Sequence, residues 1–224
     1  MSALALSSPA EAKIVYTPAH HIIREHTSYQ LDLNRDKKID FTITNSVSCT
    51  DVCNYSLFQV PAKGNDEIGY YRGSARILEG SALRRGTRIG PSAKFHNGRA
   101  RMLLVIEGCV STICYVSGPW ANVQHRYLGL RFKINGQTHY GWARLSAEIS
   151  ELKIVPTLTG YAYETIPNKS IIAGATKGPD DISVEEPDAT VTMPTRGPAT
   201  LGVFALGSPG LPIWRREESA LGER

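Results

Sequence analysis

Oxygen-bearing side chains alternate along residues 31–41, whose sequence is LDLNRDKKIDF. Closely spaced carboxylate and amide oxygens in a short loop are the ligands with which proteins wrap a hard cation such as Ca²⁺. Numbered as an EF-hand-type loop, Asp32, Asn34 and Asp36 take positions one, three and five. Lys38 would supply its backbone carbonyl at position seven, and Asp40 falls at position nine. The spacing therefore predicts a structural Ca²⁺ site formed by Asp32, Asn34, Asp36, Lys38 and Asp40.

Two departures from the calcium-loop pattern leave a second interpretation open. Lys37 occupies position six, where glycine normally makes a sharp turn, and Ile43 occupies position twelve, where a bidentate glutamate is usual. The alternative is a polar turn in which Asp and Asn side chains accept hydrogen bonds from their own backbone. Because strand-like sequence flanks the loop on both sides, a calcium-stapled turn is expected and not a calcium sensor.

Short β-type segments surround this loop and continue to residue 166. Alternating or β-rich composition marks residues 13–17, 29–33, 39–44, 55–60, 101–106 and 158–166. Between residues 127–134 and 137–145 stands Asn135-Gly136, a strong hairpin signal because both residues tolerate positive φ. We expect an all-β fold, specifically an antiparallel two-sheet sandwich of the jelly-roll kind with short loops and a flexible C-terminal tail.

The length and composition are those of one globular domain with tails. The chain has 224 residues, of which 42% are hydrophobic and 21% charged. We expect the β-sandwich domain to span residues 13–174. Residues 175–197 are rich in Pro, Gly and acidic residues, which is linker composition. Residues 1–12 are expected to be a truncated signal-peptide remnant, and residues 198–224 an apolar tail with an arginine pair.

The N-terminal segment suggests export. Ala10-Glu11-Ala12 fits the pattern of small residues that signal peptidase accepts, although a basic start and most of an apolar segment are missing. The alternative is a short disordered tail with chance alanines. Export bears on the four cysteines, which form two close pairs, Cys49/Cys53 and Cys109/Cys114. An exported protein favours disulfides, in any of three connectivities, whereas a cytosolic one would keep four thiols.

The C-terminal segment carries a family resemblance. Residues 198–214 are uncharged and end at Arg215-Arg216, and the preceding Met193–Pro198 stretch is rich in proline. This layout resembles a degenerate PEP-CTERM sorting tail, in which the signature glutamate between the prolines is absent. Residues 126–132, 138–145 and 160–164 resemble a run common in secreted proteins with such tails. The chain thus resembles uncharacterised exported β-rich bacterial proteins of the acidobacterial type.

The resemblance implies a location and a fold class but no reaction. It implies an exported protein, extracellular or associated with the outer envelope, with weak contact between the tail and a membrane or sorting enzyme.

Basic residues cluster in one part of the chain. Residues 72–101 contain eight basic residues against one acid, Glu79: Arg72, Arg76, Arg84, Arg85, Arg88, Lys94, Arg99 and Arg101. The stretch is either a solvated surface or a patch for an anionic extracellular polysaccharide. No nucleic-acid partner is expected, because no recognition-helix pattern or nucleic-acid-binding aromatic motif accompanies it.

Side chains that could react or stack sugars form no recognised motif. The sequence has no nucleophile elbow, phosphate loop or dinucleotide fingerprint, and its histidines are expected at ordinary surface or edge positions. Five aromatic residues could stack sugars but are more typical of cross-strand core pairs: Trp120, Tyr140, Trp142, Tyr161 and Tyr163. We expect a non-enzymatic envelope or matrix protein with a structural or adhesive role. A carbohydrate-binding module is the alternative, and an extracellular glycoside hydrolase, whose carboxylates need not be adjacent in sequence, is the third.

Overall fold

The computed structural model describes residues 13–49, 54–61, 65–107, 113–151 and 153–178. Within these ranges every helix or strand element is a β-strand, so the predicted all-β class is confirmed. The strands are β1 (Ile14–Ile22), β2 (Thr27–Leu31), β3 (Phe41–Cys49), β4 (Asn54–Pro61), β5 (Asp66–Arg72), β6 (Ile77–Gly80), β7 (Arg88–Ile89), β8 (Phe95–His96), β9 (Arg99–Glu107), β10 (Ile113–Ser117), β11 (Val123–Ile134), β12 (Gln137–Ser150), β13 (Lys153–Glu164) and β14 (Ile171–Ile172).

Twelve of the strands form one continuous sheet, and β7 and β14 pair separately. The order is β1-β13-β12-β11-β5-β6-β9-β4-β3-β2, with β8 beside β5 and β10 beside β9. Among the described strands the pairs are antiparallel except for β6 and β9, which pair in parallel through Glu79 and Arg101. The expected sandwich of two separate antiparallel sheets is therefore not confirmed, because the ladder of strands is continuous and mixed.

Strand β5 joins the two halves of this sheet. Its first two residues pair with β11, whereas Gly69 to Arg72 pair with β6. Gly69 lies at the change of partner, and a Cβ atom there would stand 2.6 Å from the carbonyl oxygen of Glu79. Glycine permits this close backbone approach, since any side chain would overlap the neighbouring strand.

The main core is shared between the two halves, which shows that the sheet curls over on itself. Leu128 and Leu145 contribute from the β11–β12 half, and Phe58 and Met102 contribute from the β4–β9 half; all four are fully buried. Each side chain of this size contributes about 1.5–3 kcal/mol when it leaves water. This common interior therefore holds the two halves of the curled sheet together.

A second apolar cluster covers the outer face of β11, β12 and β13. Trp142 packs edge-on against Tyr127, with 5.2 Å between the ring centroids. Ile89 of β7 and Ile171 of β14 belong to the same cluster and are buried. Strand β12 is consequently covered on both faces, which explains the five successive buried residues from His139 to Ala143.

The predicted hairpin is confirmed as β11 and β12. Asn135 and Gly136 form the two-residue turn with φ of 49° and 80°, the positive values that the right-handed strand twist favours in such a turn. The turn sets the register, which pairs Lys133 with Thr138, and Arg131 with Tyr140 two residues further on. Because side chains alternate between the faces, these four residues share one face of the hairpin.

Candidate functional site

The predicted metal ligands lie in the loop that joins β2 to β3, here called the aspartate loop (residues 32–40). The amide of Asp40 donates to the carbonyl oxygen of Leu31 at 2.9 Å and closes the neck of the loop. Leu31 and Leu33 are buried in the main core, whereas Ile39 is exposed. The core thus anchors the start of the loop and leaves its tip in solvent.

The carboxylate of Asp32 organises the backbone of the aspartate loop. Its Oδ1 accepts from the amide of Asp36 at 3.2 Å, and its Oδ2 accepts from the amide of Lys37 at 2.8 Å. Lys37 has φ of 70°, so the backbone makes the turn for which position six of a calcium loop normally requires glycine. The departure at position six therefore does not prevent the loop from turning.

Asn34 and Asp36 act within the loop in the same way. The Oδ1 atom of Asn34 lies 3.4 Å from the amide of Asp36, and Asp36 Oδ1 accepts from the amide of Lys38 at 2.8 Å. The hydrogen bond from Lys38 is the main reason that the pKa of Asp36 is lowered. These bonds are also those of the polar-turn interpretation, in which Asp and Asn side chains cap their own backbone.

Asp40 is the predicted ligand that faces the protein interior. It is buried, and its Oδ2 accepts from the amide of Leu33 at 2.8 Å. Burial raises the pKa of Asp40 to about 6, and the charges of Asp32 and Asp36 add to the increase. Across the described ranges, no three or more His, Cys, Asp or Glu side chains are grouped to hold a metal ion. The five-ligand Ca²⁺ site stays a prediction.

A polar pocket of about 330 Å³ opens beside the hairpin turn, and is here called the hairpin pocket. Strands β5, β11 and β12, the residue before β5 and the turn after β13 supply its lining: Asn65, Asp66, Arg131, Phe132, Lys133, Thr138, Tyr140 and Asn168. The side-chain amide of Asn65 donates to the carbonyl oxygen of Asp40 at 2.9 Å. One hydrogen bond therefore links the hairpin pocket to the aspartate loop.

An ion pair stands on one side of the hairpin pocket. Arg131 Nε and Nη2 both lie 2.8 Å from Asp66 Oδ2. The Arg131 guanidinium also lies over the ring of Phe95, 4.8 Å from its centroid, and Phe95 packs against Tyr140 at 5.6 Å between centroids. A stacked and paired guanidinium is held in a defined position, so this side of the pocket is pre-organised.

The ends of the basic stretch meet at a buried carboxylate. Glu79 Oε1 lies 2.6 Å from Arg101 Nη2 and 3.4 Å from Arg72 Nη1, and Tyr70 donates to its Oε2 at 2.9 Å. Burial acts to raise the pKa of Glu79, but the bonds from Arg101 and Tyr70 and the positive charges outweigh it, so the pKa is lowered. The other six basic residues are exposed: Arg76, Arg84, Arg85, Arg88, Lys94 and Arg99.

Glu67 is an acid buried inside the sheet. Its residue is fully buried, and neither carboxyl oxygen has a hydrogen-bond partner among the described residues. Burial raises its pKa to about 8, with a smaller contribution from the charge of Asp66. Glu67 is therefore mostly uncharged near neutral pH, and no substrate can reach it in this conformation.

The predicted aromatic residues form core and not a sugar-stacking face, as the cross-strand interpretation expects. Trp120, Trp142, Tyr140 and Tyr161 are buried, and Tyr163 is half-buried. Trp120 also donates its indole N–H to the carbonyl oxygen of Gly80 at 2.7 Å. The exposed aromatic side chains in the described part of the chain are Tyr70, Tyr71 and Tyr115.

Five of the six histidines are exposed or half-buried, as expected: His20, His21, His26, His96 and His125. His139 is the exception, because it is buried and its Nδ1 donates to the carbonyl oxygen of Glu164 at 3.0 Å. That bond attaches β12 to the end of β13 and gives this histidine a structural role.

Several predictions concern residues outside the described part of the chain. The side chains of Cys49, Cys53, Cys109 and Cys114, the signal remnant and the tail at residues 198–224 all lie there, so the disulfide, signal and sorting predictions stay predictions. The described part of the chain contains no helical segment that could span a membrane.

Sequence patterns alone did not identify the hairpin pocket, although one signal for it exists. The Asn135-Gly136 turn determines which β11 and β12 residues share a face, and so brings Lys133 beside Thr138. Asp66 and Asn168 carry no such local signal, since distant segments bring them to the pocket.

No protein-family model, curated protein sequence or solved structure matches this chain.

Proposed function

We propose that the protein is an exported, non-enzymatic β-protein with a structural or adhesive role at the cell envelope or in the extracellular matrix. The observation that carries this proposal is that three carboxylates in the described part of the sheet are paired with cations, while two further buried acids, Asp40 and Glu67, lie inside the fold. Glu79 is bonded to Arg101, Asp66 is bonded to Arg131, and Glu164 faces a lysine. Carboxylates held in this way stabilise the sheet, whereas glycoside hydrolysis needs a carboxyl pair that can meet a substrate.

The aspartate loop binds Ca²⁺ as a structural staple in this proposal. Its support is the sharp turn at Lys37 and the mutual repulsion of Asp32, Asp36 and Asp40, which a divalent cation would offset. The expected dissociation constant lies at the weak extracellular end, about 10⁻⁴–10⁻³ M. The two halves of the curled sheet then act as the layers of a jelly-roll-like sandwich, with disulfides among the four cysteines in one of the three connectivities.

Sedimentation with insoluble polysaccharides, combined with an assay for released reducing ends, tests the adhesive and non-enzymatic parts together. The full chain is expected to sediment with at least one polymer and to release no reducing ends above a heat-denatured sample. Release of sugar ends that depends on folded protein would contradict the non-enzymatic proposal. Failure to sediment with any polymer would contradict polysaccharide adhesion.

A carbohydrate-binding module is the second candidate, and the hairpin pocket favours it. Hydroxyl-rich ligands are recognised by converging amide, hydroxyl and charged side chains, and Thr138, Asn168 and Asp66 line this pocket together. A glycan array probed with the full chain, with and without Ca²⁺, tests this candidate. We expect signals that the double variant Thr138→Val/Asn168→Gly loses, and unchanged signals from that variant would exclude the pocket as the binding site.

A further inference from the structure

We propose that the hairpin pocket binds a carboxylated sugar unit of a polysaccharide, and that Lys133 pairs with the carboxylate of that sugar. This inference rests on the carbohydrate-binding candidate and adds to it the class of sugar. The pocket volume of about 330 Å³ lies at the small end of the range for small-molecule sites, which suits a short section of a polymer.

The ion pair between Arg131 and Asp66 has a defined orientation and occupies one oxygen of the Asp66 carboxylate. Both contacts from Arg131 go to Asp66 Oδ2 and neither uses Asp66 Oδ1, an oxygen that can accept a hydrogen bond from a sugar hydroxyl. The stacking of Arg131 on Phe95 limits the movement of the pair. A ligand therefore meets a carboxylate whose position is already set, and binding costs little side-chain entropy.

Lys133 gives the pocket its selectivity for an acid. It is exposed, and no carboxylate lies within ion-pair distance of it in the part of the chain that the structure describes. Because Asp66 and Arg131 neutralise each other, Lys133 leaves the pocket with one excess positive charge. A carboxylated sugar supplies the missing negative charge, and a charge-assisted hydrogen bond to it is stronger than one to a neutral hydroxyl.

Two neutral side chains can bind the remaining sugar hydroxyls. Thr138 lies directly opposite Lys133 on β12, and the amide of Asn168 donates to the carbonyl oxygen of Thr138 at 2.8 Å. Both side chains line the pocket, where Thr138 is half-buried and Asn168 is exposed. Lys133, Thr138 and Asn168 thus present a cation, a hydroxyl and an amide from two strands and a turn, which suits a ring with several polar groups.

The test is affinity electrophoresis of the full chain in gels that contain polygalacturonate or its fully methyl-esterified form, which has the same backbone without the charge. We expect polygalacturonate to retard the protein and the ester to retard it at least about tenfold less, with the effect weakening as salt is added. Lys133→Gln is expected to weaken retardation about fivefold. Asn168→Gly is expected to have a similar effect, and glycine can adopt the φ of 59° that Asn168 has in the fold. Lys94→Gln, at an exposed lysine outside the pocket, is the matched control and is expected to behave as wild type.

Each outcome bears on a different proposal. Equal retardation by the acid and the ester, or wild-type behaviour of Lys133→Gln, would overturn the acidic-sugar inference and leave carbohydrate binding in place. Loss of retardation in Lys94→Gln but not in Lys133→Gln would assign binding to the basic stretch and overturn the pocket. No binding of any polysaccharide would contradict the carbohydrate-binding candidate itself.

Discussion

Glu79 and Arg101 lie 2.6 Å apart across the parallel pairing of β6 and β9, with the Glu79 side chain 1% exposed. The ion pair therefore sits where the continuous sheet departs from antiparallel order. Arg72 approaches the same carboxylate from β5, so one acid links three neighbouring strands.

Removing Arg101 should destabilise the fold strongly, because the buried Glu79 charge then keeps the more distant Arg72 and the hydroxyl of Tyr70 but loses its nearest cation. Arg101→Met is expected to lower the free energy of unfolding by about 3 kcal/mol. Urea denaturation measures this loss. The control is Arg84→Met, at an exposed arginine, which should change the free energy of unfolding by less than about 0.5 kcal/mol. Equal effects of the two substitutions would show that the ion pair between Glu79 and Arg101 does not contribute to the free energy of unfolding.

Glu67 should make stability fall as the pH rises towards 8. Its pKa is about 8 in the fold and near 4.5 when exposed, so the folded state holds a proton that the unfolded state has lost. Stability should fall by about 1.4 kcal/mol per pH unit between about pH 5 and pH 8 through this group. Urea denaturation of Glu67→Gln across this range should lack that part of the slope. Asp40 contributes equally to the pH dependence of wild type and of Glu67→Gln, so its contribution cancels in the comparison. Identical slopes for the two proteins would disprove the assignment of this pH dependence to Glu67.

Lys37→Gly should strengthen the aspartate loop. Lys37 has φ of 70°, which glycine adopts without strain, and the substitution also removes a positive charge beside the proposed cation. We expect the free energy of unfolding to rise by about 0.5–1 kcal/mol and Ca²⁺ to bind about fivefold more tightly. Calorimetry with Ca²⁺ measures the affinity, and Asp36→Ala should abolish the heat. Flat traces for wild type and Lys37→Gly alike would leave the polar-turn interpretation standing.

Substitution by alanine should destabilise the fold more at Gly69 than at Gly136. At Gly69 the new Cβ would meet the backbone oxygen of Glu79 at 2.6 Å, and we expect a loss of about 3 kcal/mol in the free energy of unfolding. At Gly136 nothing lies within 4 Å, so Gly136→Ala should cost only the strain of φ at 80°, about 1 kcal/mol. Thermal denaturation compares the two alanine variants. A loss of stability in Gly69→Ala well below about 3 kcal/mol would mean that β5 can shift away from β6.

Local contacts explain what could be predicted. The hairpin was predictable because Asn135 and Gly136 alone provide the positive φ values that set its register. The aspartate loop was recognisable because its side chains bond to amides two to five residues away. The short strands β7, β8 and β14 were not predictable, since two residues carry no periodicity and exist as strands only through their partners.

The sequence by itself determined the β-strand class, the hairpin register and the aspartate loop at residues 32–40, because each depends on neighbouring residues. Tertiary structure alone decided that β5 would change partners at Gly69 and join two halves into one mixed sheet. It also decided that Asp66 would meet Arg131, 65 residues away, to form the hairpin pocket. Such pairings depend on which strands pack around the shared core, a balance of apolar burial and chain entropy that no short segment contains.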